Sequence, residues 1–133
     1  MIQLPLKLIE LEFVKIEFYE HYMISTFIEG MILNNEDVYE IQQLAAGFYQ
    51  NKPFGYISNR VNDYSRNLSP NSYNIQLPTM FAFAIVYKTE TSLKVANFEK
   101  FFIKSPFKTF KSLSEAKEWM RELAEEINKK AGL

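Results

Sequence analysis

The chain has no cysteine, one histidine, four glycines and five prolines in 133 residues. Without Cys there is no disulfide framework, no thiolate nucleophile and no Cys-based zinc or iron–sulfur site. With His21 the sole histidine, a two-histidine metal cluster is excluded. The glycines Gly30, Gly47, Gly55 and Gly132 stand far apart, so neither a dinucleotide fingerprint nor a P-loop can be written. A G-x-S-x-G elbow is absent too. Charge of one sign is lacking: 15 basic against 16 acidic residues leave −1, which gives no footprint for nucleic acid or an anionic membrane surface. No apolar run approaches the roughly 20 residues of a membrane span. Lys7, Glu10, Glu12, Lys15 and Glu17 also break the apolar start, so no signal-peptide core is expected. These absences point to a soluble cytoplasmic protein with no membrane insertion, no metal and no cofactor.

What the chain does have is apolar and aromatic mass: 47% hydrophobic and 16% aromatic residues, enough for one domain with a sizeable core. Residues 1–9 carry Pro5 and no clear period and read as a lead-in to a domain over 10–130. Val14, Ile16 and Phe18 alternate with Lys15 and Glu17 as a half-buried strand, and Tyr22, Ile24, Thr26 and Ile28 continue with period 2, completing a hairpin. Asn34 caps a helix with Glu36 and Asp37 in its first turn and Val38, Ile41, Leu44 or Ala45, and Phe48 at helical spacing; Asn51 and Pro53 stop it. Phe54–Asn59 is a short strand, followed by a polar stretch from Arg60 to Asn67. Ser69-Pro70 opens a brief helix toward Leu77. Met80–Tyr87, apolar throughout, reads as a central strand. Thr89–Ile103 reads as a helix with Val95, Phe98 and Phe102 on its stripe. Phe107–Phe110 is an edge strand, and Ser112-x-x-Glu115 opens a last amphipathic helix. The order β-β-α-β-α-β-α-β-α predicts an α/β domain: a mixed, mostly parallel sheet of about five strands with helices packed on it.

Chemistry-bearing residues are sparse. His21 falls in the hairpin turn with no positioned partner, and the carboxylates fit helix first turns, solvated helix faces and a charged edge hairpin. No catalytic constellation emerges, and the chain reads as a non-enzyme. Ligands of open α/β sheets bind beyond the carboxyl ends of the strands, near the point where strand order reverses. By that rule Ser58, Asn59, Arg60, Asp63, Tyr64, Ser65 and Arg66 are the ligand- or partner-binding candidates, and Arg60 and Arg66 can clamp a carboxylate or phosphate. Phe98, Phe101 and Phe102 crowd more than one face of their helix. They are candidates for an apolar interface, with a second copy of the chain or another protein, or for contact with a small apolar ligand.

Several stretches resemble the STAS/SpoIIAA-like domains, including the bacterial group described as STAS/SEC14 domain-containing. Ile28-Glu-Gly-Met-Ile-Leu-Asn-Asn-Glu-Asp-Val38 is similar to their strand, glycine and capped first helix. Lys52-Pro-Phe-Gly-Tyr-Ile-Ser-Asn-Arg60 is similar to the next strand and its loop. Phe107-Lys-Thr-Phe110 and Ser112-Leu-Ser-Glu-Ala-Lys-Glu-Trp119 resemble the last strand and final helix. The resemblance covers residues 10–128 and implies a small mixed sheet with its first strand antiparallel, acting in protein interaction or regulation rather than turnover. Its SEC14 side implies a carrier or sensor of an amphiphile as the alternative. In STAS anti-sigma-factor antagonists a phosphorylatable serine sits in an Asp-Ser-Ser-Gly-like context; here the surrounding Asp and Gly are missing, and the switch is not carried over to Ser58 or Ser65.

Overall fold

A computed structural model describes residues 4–62, 65–66 and 77–131. Six strands form one mixed sheet: β1 (Lys7–Glu10), β2 (Val14–Phe18), β3 (Tyr22–Phe27), β5 (Phe54–Asn59), β7 (Met80–Val86) and β8 (Phe107–Phe110). They lie side by side in that order, antiparallel from β1 to β3 and parallel from β3 to β8. Two short strands, β4 (Ile32–Leu33) and β6 (Ser65–Arg66), pair in parallel as a separate ladder. The helices are α1 (Asn35–Tyr49), α2 (Glu90–Glu99), which continues into a 3-10 turn at Lys100–Phe102, and α3 (Leu113–Lys130). None of the described helices is long and apolar enough to cross a membrane.

The α/β class and the mostly parallel sheet agree with the sequence pattern, while the count of strands differs. Residues 7–10, read as part of an aperiodic lead-in, form an edge strand. Ile9 packs against the core while Lys7, Leu8 and Glu10 remain exposed, so a single inward residue is too little to register as a period. The brief helix expected from Ser69 falls outside the described residues. At the end of α1 the stop comes one residue earlier than expected: Gln50, not Asn51, takes the positive φ of 55°.

Period-2 alternation sorts the sheet into two apolar layers. Val14, Ile16, Phe18, Met23, Phe27, Phe54, Tyr56 and Ile85 pack with Val38, Ile41, Ala45 and Tyr49 of α1 and Ala96 of α2. On the opposite face Tyr22, Ile24, Ile57, Ala82, Ala84 and Phe110 pack with Ala116 and Met120 of α3. A register shift at the start of β7 places Met80 and Phe83 in the first layer and leaves Phe81 against the second. Each helix is fixed at its start by a side chain. Asn34 and Asp37 cap one another's backbone amides at α1, as Thr89 and Ser92 do at α2, and Ser112 accepts from the Glu115 amide at α3.

Candidate functional site

Ser25 and Ser58 are register partners on β3 and β5 and are both buried on the α1–α2 side. Buried hydroxyls need partners. The Ser25 and Tyr56 hydroxyls hydrogen-bond each other, and Ser58 Oγ accepts from Arg60 Nε at 3.1 Å. The Arg60 guanidinium then meets α2, with Nη2 lying 2.6 Å from Glu99 Oε2. Both partners are buried, at 8% and 2% exposure. The contact is ionic rather than an aligned hydrogen bond, and Oε2 has no hydrogen-bond partner among the described residues.

The loop expected to present one polar clamp from Ser58 to Arg66 is therefore divided. Ser58 and Arg60 belong to the interior. Asn59 ends β5 on the α3 side, and its buried Oδ1 has no hydrogen-bond partner among the described residues. Asn62 Nδ2 donates to the Phe27 carbonyl at 3.0 Å, pinning the loop to the end of β3. Ser65 and Arg66 form β6, paired with Ile32 and Leu33. Asp63 and Tyr64 lie outside the described residues. The switch-point expectation is corrected as well: β3, β5, β7 and β8 lie in chain order, and α1 and α2 cover the same face. Strand order never reverses among these strands, so the crevice that a reversal opens is not formed.

A cavity of about 370 Å³ nonetheless opens at the carboxyl ends of β5, β7 and β8, lined by Arg60, Val61, Val86, Tyr87, Lys88 and Lys111. Lys88 and Lys111 were not singled out in the sequence. Their signal was available, since each is the first charged residue past the end of a parallel strand and directly precedes a helix cap, Thr89 or Ser112.

The stripe expected on α2 is also corrected. The stripe of Val95, Phe98 and Phe102 does not meet the sheet as a unit: the helix buries Ala96 and Glu99, and Val95, Phe98 (54% exposed) and, in the following 3-10 turn, Phe101 (84%) face solvent. Phe102 is half-buried against Phe98, with ring centroids 5.5 Å apart. The physical reason is the Arg60–Glu99 pair. A helix turns 100° per residue, so bringing residue 99 to the sheet swings residue 98 away from it.

At the opposite end of the strands a groove of about 420 Å³ has apolar walls that include Leu6, Phe48, Tyr49, Pro53, Phe81 and Ile127; His21, Glu20 and Lys52 also line it. His21 occupies the β2–β3 turn as expected, its Nε2 3.6 Å from Glu20 Oε1 and its carbonyl accepting from the Gly55 amide. Tyr49 donates its hydroxyl to the Tyr19 carbonyl at 2.8 Å, and Tyr19 stacks on Tyr22. Burial raises all three phenols above the ordinary tyrosine range, and for Tyr19 the Glu17 carboxylate adds to it.

No protein-family model, no curated protein and no solved structure matches the chain.

Proposed function

We propose that the chain is a non-enzymatic protein-interaction module of the STAS/SpoIIAA-like type, working in the cytoplasm, whose docking surface is the outer face of α2 and whose occupant is a second copy of the chain. One observation carries this reading: α2 turns a carboxylate and an alanine to the sheet and Val95, Phe98 and Phe101 to water. Buried rings each remove 150–250 Å² from water, at about 25 cal/mol per Å². Contiguous exposed apolar patches mark interaction sites. A second copy suits it because the chain is nearly neutral, so like copies do not repel. A single helix face can also meet its own two-fold image. The STAS-like assignment rests on the sequence stretches given above and on the order of β3, α1 and β5 within a mixed sheet.

Light scattering coupled to size-exclusion chromatography tests the reading. The expected mass is twice 15.7 kDa for the natural chain. It should fall to the single-chain value for the double variant Phe98→Ser, Phe101→Ser. A monomer at every concentration, or a dimer indifferent to both substitutions, contradicts it.

A second reading, a carrier or sensor of a small amphiphile, is favoured by the groove between α1 and α3. Its apolar walls suit an alkyl or aromatic body, and Lys52 and His21 suit an anionic head. Native mass spectrometry of the purified protein followed by organic extraction separates the two: a bare-chain mass with nothing extracted contradicts the carrier.

A further inference from the structure

We infer that the groove between α1 and α3 binds an amphiphile with a singly charged anionic head under proton control, exerted through His21. The inference rests on the carrier reading of this groove and adds its regulation. The body of the site is apolar: Phe48, Tyr49, Phe81, Ala124 and Ile127 line a space of about 420 Å³, within the range of small-molecule sites. The polar lining comes mainly from the turns, with Glu20 and His21 between β2 and β3, Lys52 between α1 and β5, and Asn128 on α3.

The charges decide which head is accepted. Among the described lining residues Lys52 and Glu20 are the charged pair, and with His21 neutral they cancel. Histidine is the side chain that ordinarily changes charge between about pH 5 and 8. A proton on His21 leaves the lining with one net positive charge, which favours an anion. Glu20 is the competitor, with Oε1 3.6 Å from His21 Nε2. Its side chain is 77% exposed, however, and exposed pairs of this kind are weak. A head within the groove, less hydrated than Glu20, takes its place. The Tyr49 phenol, the other titratable group of the lining, is pushed up by burial and engaged with the Tyr19 carbonyl, so it stays neutral over this range. Lys52 is held in place by a strained turn. Gln50 takes φ 55° and ψ −115°, costly outside glycine, and the Lys52 amide then donates to the Tyr49 carbonyl at 2.9 Å. Strain of this kind collects where ligands are held.

Titration of the full chain with octane-1-sulfonate and octan-1-ol, at about pH 8 and about pH 5.5, followed by backbone amide NMR, tests the inference. The sulfonate keeps its charge over this range; the alcohol shares its chain and carries none. Both should move the amides of Leu6, His21, Phe81 and Asn128. The sulfonate should bind about fivefold tighter at the lower pH, and the alcohol equally at both. The backbone carbonyl of His21, not its ring, accepts from the Gly55 amide, so His21→Gln keeps the turn. That variant should bind the sulfonate with one affinity at both pH values. Glu20→Gln should tighten the sulfonate about fivefold already at the higher pH. If neither ligand moves these amides, the carrier reading falls and this inference with it. Groove binding of both ligands with a sulfonate affinity that ignores pH, or with a pH dependence that survives His21→Gln, overturns the proton control alone.

Discussion

Arg60 and Glu99 bring opposite charges into a mostly apolar layer, where each is tolerable because the other is there. Removing one partner is therefore a different experiment from removing both. Arg60→Ala should cost about 3–5 kcal/mol of unfolding free energy in urea, whereas the pair Arg60→Met, Glu99→Leu should lie near neutral or above the natural chain. Equal losses in the two would contradict the buried pair. The sequence carries no sign of this partnership, since the two residues stand 39 positions apart and a glutamate in a helix ordinarily faces water. Gln50 poses a smaller case. Its φ of 55° with ψ of −115° is a conformation that only glycine adopts freely. Gln50→Gly should accordingly raise stability, by about 1 kcal/mol.

Among the elements, α2 and α3 show opposite degrees of legibility. In α3 the apolar periodicity and the contacts agree: Ala116 and Met120 are buried, Leu113, Trp119 and Leu123 pack beside them, and Ser112 caps the start by accepting from the Glu115 amide. In α2 the same rule fails because an ion pair, not apolar area, sets the rotation of the helix. Between α3 and β5 the fit is close. A Cβ at Gly55 would collide with the Met120 thioether and crowd Phe81 Cζ. Met120 is fully buried, so its flexible thioether end would have to shift within the core to make room. Gly55→Ala should therefore cost about 1–3 kcal/mol, as overpacked cores do. Gly55→Ala combined with Met120→Ala should cost less in thermal unfolding than the two single losses summed; strict additivity would place the strain elsewhere. β1 was illegible for a related reason: an edge strand with one inward residue has no face to repeat.

For the molecule as a whole, the phenols of Tyr19, Tyr22 and Tyr49 set a pH limit. Their ionisation is disfavoured by burial in the folded state and not in the unfolded chain. Their contribution to stability is complete below the ordinary tyrosine value of about 10. It is lost progressively as pH rises from there toward the raised values, because the unfolded chain then releases protons that the folded one keeps. Urea midpoints should hold up to about pH 10 and fall beyond it, less steeply in Tyr49→Phe. At this scale the sequence was most informative: the α/β class, the mixed, mostly parallel sheet and its helices α1, α2 and α3 follow from period and capping, while β1, β4 and β6 do not. The sites were less legible because they are made where elements meet. Lys88 and Lys111 become neighbours of Arg60 only once β5, β7 and β8 lie side by side. The outward ridge of α2 is the feature on which the functional reading turns, and an isotope-filtered NOE spectrum of mixed labelled and unlabelled chain tests it most directly. The account predicts intermolecular contacts from the Phe98 and Phe101 rings. Their absence, or intermolecular contacts confined to Leu4, Leu6 and Leu8 beside the free edge of β1, would contradict it.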